Sequence, residues 1–304
     1  MEYILKIKKL QKSYKKNQVL SNLNMQIEKG AIYGLIGKNG AGKTTLIRII
    51  TGLQKPNNGE YQIYGVSYKN KEIENIRSRI SAIVETPALY MNLTAKENLV
   101  EHYKTLGIPS DDNIDELLTQ VGLNNHQNKK VKYFSLGMKQ RLAIALSLSS
   151  NPDFLILDEP INGLDPQGII EIRELILNLN KHQGITMLIS SHYLDELSKI
   201  ATHYGFIDKG KIIEEISAKE LNKKLRKKTV VKSNNVKELS QYLESKKIKY
   251  EVIDEKTITI FDKLDISQLI LTLSKKNCVI EEIYKVNESL ENYYLNLIGG
   301  VNND

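Results

Sequence analysis

A single cysteine, Cys278, stands in 304 residues, which excludes an intramolecular disulfide and suits a reducing compartment. Long apolar runs are also missing. No stretch approaches the roughly 18 consecutive apolar residues that crossing a bilayer demands, so any membrane function must be borrowed from another chain. The opening Met1-Glu2-Tyr3-Ile4-Leu5-Lys6-Ile7-Lys8-Lys9 interleaves charge with apolar residues, lacks the continuous apolar segment of a secretory signal, and reads as a strand. There is no internal repeat and no low-complexity segment. Charge of one sign does not dominate: 43 basic and 36 acidic residues are interspersed, and the net +7 points to no nucleic-acid partner. One local cluster, Lys223-Lys224-Leu225-Arg226-Lys227-Lys228, reads as a solvated helix face or linker.

What is present is enough apolar material, 41%, to build packed cores, and enough length for about two domains. Residues 1–216 alternate short apolar runs with helical periodicity, as in an α/β sheet flanked by helices. Strands are expected at 31–36, 80–84, 154–157 and 185–189. Between the second and third, helices are expected at 96–106, 112–121 and 136–149, which makes an inserted helical subdomain over about 86–150. After a basic linker at 217–228, residues 229–304 read β-α-β-β-α-β with a closing helix, a small α+β domain of ferredoxin-like pattern. Its first helix aligns Val236, Leu239, Tyr242 and Leu243. Its second aligns Ile266, Leu269, Ile270 and Leu273.

The strongest chemical signal is Gly37-Lys38-Asn39-Gly40-Ala41-Gly42-Lys43-Thr44-Thr45, a P-loop set between an expected strand and an apolar-faced helix. Glycines let the backbone turn its N–H groups towards phosphate oxygens, and the following helix adds its partial positive charge. Lys43 is expected on the β- and γ-phosphates, and the Thr44 hydroxyl on Mg²⁺. The second signal is Phe154-Leu155-Ile156-Leu157-Asp158-Glu159, an apolar strand ending in two carboxylates where ligands sit in open α/β sheets. Asp158 is expected to hold Mg²⁺ and Glu159 to act as the general base on an attacking water.

The third is Phe134-Ser135-Leu136-Gly137-Met138-Lys139-Gln140-Arg141 at the start of an apolar helix. Alone, its serine and glycine read as an N-cap. Beside the other two motifs, the segment resembles the signature of ATP-binding cassette (ABC) proteins, normally Leu-Ser-Gly-Gly-Gln, with Phe134, Leu136 and Met138 replacing the first, third and fifth residues. That resemblance, over residues 1–216, implies a RecA-like P-loop ATPase core binding Mg-ATP. It implies that Tyr14 stacks on adenine and that Gly163-Leu164-Asp165 contacts an opposite subunit, with Asp165 at the shared site. It places His192 as a switch near the γ-phosphate. Ser135 and Gly137 of one copy would cap ATP held by Lys43 of another, in a homodimer that drives a separately encoded permease from the cytoplasmic face of the membrane.

One position departs from the usual pattern. Glu85 stands where most members carry a glutamine that touches Mg²⁺ or the attacking water, so Glu85 is expected as a metal ligand. A neutral substitution is the alternative. Glu85, the Gly-Met-Lys-Gln-Arg stretch and the C-terminal appendix together look like the ATP-binding subunits of bacitracin-resistance and lantibiotic-immunity exporters. The alternatives are export of sodium or other drugs, or a soluble ABC ATPase acting on ribosomes or DNA. The last is disfavoured because the chain has neither a second cassette nor a coiled-coil insertion. A P-loop nucleotide kinase leaves the signature segment unexplained.

Overall fold

The structure, a computed structural model, describes residues 2–300 apart from 86, 109–112, 127, 226, 263, 277 and 288. The chain divides into two compact units, Met1–Ala218 and Lys219–Asp304.

The first unit opens with two long strands, β1 (Tyr3–Tyr14) and β2 (Asn17–Glu28), followed by β3 (Ile32–Ile36) and α1 (Lys43–Ile50). Then come β4 (Asn58–Ile63), β5 (Val66–Ser67), α2 (Ile73–Arg77) and β6 (Ile80–Ile83). Three helices follow without an intervening strand among the described residues: α3 (Ala95–Leu106), α4 (Ile114–Gln120) and α5 (Leu136–Leu148). The unit closes with β7 (Phe154–Asp158), α6 (Pro166–Gln183), β8 (Thr186–Ser191), α7 (Leu194–Ser198), β9 (His203–Asp208) and β10 (Lys211–Ser217). Thr86 and Asp112, the expected starts of the helical subdomain and of its second helix, lie outside the described residues.

Two sheets share one core. An antiparallel sheet runs β2-β1-β4-β5, and a mostly parallel one runs β10-β9-β3-β8-β7-β6. Every residue of β3, β7 and β8 is buried, which is why their sequences are near-continuous apolar runs and not alternating ones. Their order decides where chemistry can happen. β8 lies between β3 and β7, with Ile36 opposite Ser191 and Asp158 opposite Ser190. The carboxyl ends of three neighbouring strands therefore deliver the P-loop, a serine pair and two carboxylates to one edge of the sheet, where open α/β sheets bind ligands. The helical insertion is fixed at its start by a capping box, in which the Thr94 hydroxyl accepts from the Glu97 N–H and the Glu97 carboxylate accepts from the Thr94 N–H.

The second unit takes up α8 (Ala218–Lys224), which starts at the boundary, and then β11 (Lys227–Ser233), α9 (Val236–Ser245), β12 (Tyr250–Val252), β13 (Thr257–Ile260), α10 (Ile266–Ser274), β14 (Ile280–Asn287) and α11 (Leu290–Gly300). The four strands pair antiparallel in the order β12-β13-β11-β14, the split β-α-β arrangement of ferredoxin-like units. Leu239 and Leu243 of α9 and Leu269 and Leu273 of α10 cover one face of the sheet, against Val231, Ile258 and Ile260. Two expectations differ from what is found. The basic stretch at 217–228 is not a bare linker, because it holds α8 and the start of β11, whereas Arg226 lies outside the described residues. Ile270 does not join the core face of α10. It is 44% exposed, since Leu269 and Leu273 already fill the sheet-facing positions.

Candidate functional site

The loop from Gly37 to Gly42 can be built only with glycine at particular points. A Cβ on Gly37 would lie 2.6 Å from both Cγ2 and the carbonyl oxygen of Ile207 on β9. Gly42, at φ +109°, has Leu20 and the Val19 carbonyl in the corresponding space. The loop is thus pressed between β2 and β9, with Lys38, Asn39 and Gly40 exposed and Ala41, Gly42 and Lys43 buried. Thr44 and Thr45 follow in the first turn of α1, both half-buried.

Lys43 is 6% exposed, and its ammonium donates to the Gly37 carbonyl at 2.6 Å. It lies 3.2 Å from Oε1 of Glu159 without hydrogen-bond alignment, so that buried carboxylate oxygen has no hydrogen-bond partner. The other oxygen, Oε2, sits 2.8 Å from His192 Nδ1. Glu159 is held in place by its backbone, whose N–H donates to both the hydroxyl and the carbonyl of Ser190 at 3.0 and 3.1 Å. It has φ +51°, a left-handed conformation that costs a non-glycine residue about 1–3 kcal/mol and needs such support. Asp158 accepts from the Thr44 hydroxyl at 2.8 Å and from the Ser190 hydroxyl.

Five residues expected from sequence, Lys43, Thr44, Asp158, Glu159 and His192, therefore form one connected cluster. Ser190 joins it unexpectedly. Two small polar residues closing the otherwise apolar β8 just before His192 were the signal for it. The cluster offers a buried cation on the loop, hard oxygen donors on Thr44 and Asp158, and a carboxylate oxygen lacking a hydrogen-bond donor. Mg²⁺ takes few protein oxygens and fills its octahedron with waters and phosphate, so a hydroxyl and a carboxylate in direct contact fit it. No group of three or more His, Cys, Asp and Glu placed to hold a metal occurs among the described residues.

Glu85, expected as a metal ligand, is found in an ion pair. Its side chain is 62% exposed and its carboxylate is paired with the Arg48 guanidinium at 2.5 Å. Arg48 sits one helical turn beyond Thr44 on α1, so a cation unremarked in the sequence takes the carboxylate. Tyr14, 40% exposed, ends β1 with its hydroxyl bonded to Gln54 and the Lys12 ammonium 5.3 Å from the ring centroid.

Ser135 and Asp165 are each the N-cap of a helix. The Ser135 hydroxyl accepts from the Met138 N–H at 3.2 Å, and the Asp165 carboxylate from the Gly168 N–H at 3.1 Å. The two helix starts lie together. A Cβ on Gly137 would be 3.7 Å from the Gly168 Cα, and one on Gly163 would be 3.2 Å from Leu136 Cδ2. The signature segment and the loop before α6 thus form one continuous surface, which sequence separation concealed.

An open groove of about 1060 Å³ runs between β6 and the helical insertion, lined in part by Ala82, Val84, His102, Leu146 and Ser150. Burial lowers the His102 pKa, partly offset by its hydrogen bond to the Leu146 backbone.

Comparison with known proteins settles the family. The ABC transporter family matches residues 20–162. The bacitracin transport ATP-binding protein BcrA of Bacillus licheniformis is 42% identical over 99% of both chains. The chain belongs to the ATP-binding subunits of ABC transporters. The lantibiotic transport ATP-binding protein SrtF of Streptococcus pyogenes is 48% identical over 70% of this chain and 90% of its own length. Among solved structures, CbiO1 of Clostridium perfringens, part of an ABC transporter complex, superposes with a TM-score of 0.66 at 30% identity, covering 73% of this chain and 91% of that one. A dimeric cassette in a post-hydrolysis state with ADP and Pi gives 0.62 at 27% identity, covering 70% and 98%. The first unit is accordingly an ABC ATPase cassette that binds ATP. No helix of the described residues is long and apolar enough to cross a membrane.

Proposed function

We propose that this subunit hydrolyses Mg-ATP between two copies of itself and drives a separately encoded permease that exports peptide antibiotics of the bacitracin or lantibiotic type. The observation that carries the reading is the connected cluster of Lys43, Thr44, Asp158, Glu159 and His192, in a chain similar over its full length to a bacitracin transport subunit.

The P-loop N–H groups of Gly37, Asn39, Gly40, Ala41, Gly42, Lys43, Thr44 and Thr45 surround the phosphates, and the exposed Tyr14 ring offers the adenine a π-face. Lys43 shifts from the Gly37 carbonyl and Glu159 to the β- and γ-phosphates. Thr44 and Asp158 would hold Mg²⁺, which would supply neutralisation of the phosphate charge. Glu159 takes the proton of the attacking water through the oxygen that lacks a hydrogen-bond donor here, while His192 orients the carboxylate from its other side. The surface formed by Ser135, Gly137 and Asp165 closes over the nucleotide of the second copy, which explains why two helix starts that cap only themselves are held side by side. Glu85, whose exposed pair with Arg48 is weak, would be a further oxygen donor to Mg²⁺, with a neutral substitution as the alternative. The groove beside His102 receives a short helix of the permease, and that contact holds the subunit at the cytoplasmic face of the membrane.

The test is a strain lacking this subunit. Its sensitivity to bacitracin or lantibiotics should rise, and be restored by the wild-type gene but not by Lys43→Ala. Unchanged sensitivity across a peptide-antibiotic panel, with altered tolerance to sodium or a small drug, would remove the cargo assignment and leave the ATPase intact.

A further inference from the structure

Within the C-terminal unit, one edge of the sheet has no strand partner among the described residues. β14 is the outermost strand of its sheet, paired on one side only, with β11. An eight-residue edge with one row of unpaired N–H and C=O groups is a template for another strand. The opposite edge, β12, has only three residues. Beside β14 lies an open groove of about 570 Å³, lined on one wall by Ile266, Ile270 and Ser274 and on the other by Val279, Ile280 and Ile283. Ile266, Ile270 and Ser274 are spaced four apart along α10, so they form one stripe facing the groove. Ile270 is 44% exposed and Val279 58%. The helix therefore carries a second apolar face that its own core does not use.

The charges on the edge indicate what fits there. The side chains of Glu281 and Lys285, two residues either side of Ile283, make no ion pair or hydrogen bond among the described residues. The intervening Glu282 is bound to Lys232 of β11 at 2.8 Å. A bulge at Glu281, between the pairs Lys232–Glu282 and Ser233–Ile280, marks one end of the regular segment. If a second β14 runs antiparallel to the first about a two-fold axis through Ile283, each Glu281 falls opposite a Lys285. Ile283 meets its own copy, and the helices of both units stay on one face. Shifting the axis by one residue leaves Ile283 opposite Lys285, and by two sets Lys285 against itself. Only the register centred on Ile283 matches both charges.

We infer that the C-terminal unit is a dimerisation module: β14 of one copy pairs antiparallel with β14 of a second about Ile283, forming an eight-stranded sheet with α10 against α10 across the seam. This contact needs no nucleotide. It would keep a second cassette at hand when ATP is lost and the catalytic faces part, replacing an encounter in solution by a tethered one. The inference does not rest on the nature of the exported cargo.

Sedimentation of the full chain, stripped of nucleotide and followed through a micromolar concentration series, tests it. Wild type should form a reversible dimer. Glu281→Lys and Lys285→Glu should each weaken that dimer by about tenfold, since two pairs are turned into like-charge contacts. The double exchange should restore it. Independently, Ile283→Cys should cross-link with itself under mild oxidation, because facing residues of antiparallel strands have Cα atoms about 4.5–5.5 Å apart. Val286→Cys, which faces Ile280 in this register, should not, and the native Cys278 is buried. A nucleotide-free chain that stays monomeric, charge variants that dimerise like wild type, or cross-linking equal at 283 and 286 would each overturn the proposal.

Discussion

Replacing Glu159 by glutamine keeps the length, shape and left-handed backbone of the residue while removing its capacity to accept a proton. The carboxylate lies 3.2 Å from Lys43 Nζ and 2.8 Å from His192 Nδ1, so the substitution also removes one negative charge from the place where phosphate must settle. Lys43 retains the Gly37 carbonyl at 2.6 Å and is not stranded, so the fold should survive. Loss of a positioned general base costs a factor of about 100 or more in the chemical step, or about 2.7 kcal/mol of barrier. ATP affinity should be unchanged or tighter, because a like charge beside the γ-phosphate has gone. Phosphate release at saturating Mg-ATP, nucleotide titration and size exclusion with ATP together read the three effects. The variant should hydrolyse at least about a hundredfold more slowly, bind at least as well, and accumulate as an ATP-bound dimer. A turnover within about threefold of wild type would remove Glu159 from the role of base and leave it its contacts with Lys43 and His192.

Gly37→Ala forces a methyl group within 2.6 Å of the Ile207 backbone oxygen, so thermal unfolding should show a loss of about 1–3 kcal/mol together with weakened nucleotide binding. Wild-type stability would refute the tight seating of the loop. Glu215 is an exposed residue overall, but its carboxyl lies against Tyr33 and Gln26, and the desolvation there raises its pKa, opposed in part by hydrogen bonds from the Gln26 N–H and the Tyr33 hydroxyl. Because the folded form holds that proton better than the unfolded chain, its contribution to stability is present below the ordinary glutamate value and is lost as pH rises through the raised one. Glu215→Gln keeps an oxygen to accept both bonds, so it should be more stable than wild type at neutral pH, with the gain vanishing in acid. Denaturant midpoints across that pH range would show it, and a pH-independent difference would contradict it.

The parts of the site legible in the sequence are those fixed by local chain geometry. The P-loop must follow a buried strand and precede a helix, and Asp158-Glu159 must end an apolar strand, so β3 and β7 could be placed within a residue and a helix expected directly after the loop. Relations set by packing were not legible. That Ser190 bridges Asp158 and Glu159 depends on β8 lying between β3 and β7, an order that the sequence does not carry. The Arg48–Glu85 pair joins a helix to a loop across the fold, and the contact between Gly137 and Gly168 depends on how α5 meets α6. The antiparallel sheet of β1, β2, β4 and β5 was seen only at its first strand, because irregular register along β1 and β2, with Lys9 and Asn22 at positive φ, breaks the alternation that marks a half-buried strand. In the C-terminal unit the helix periods were clear, but Ile270 looked like core because spacing alone cannot tell which apolar residues a helix turns away from its sheet.

The central claim is that each ATP is held between the Lys43 loop of one copy and the Ser135 surface of the other. Mixing Lys43→Ala with Ser135→Arg subunits tests it most directly, since a heterodimer of the two retains one site with both halves intact. The account predicts that the mixture hydrolyses ATP faster than either variant alone. A mixture that never exceeds the separate variants, with heterodimers demonstrated by mass, would contradict it.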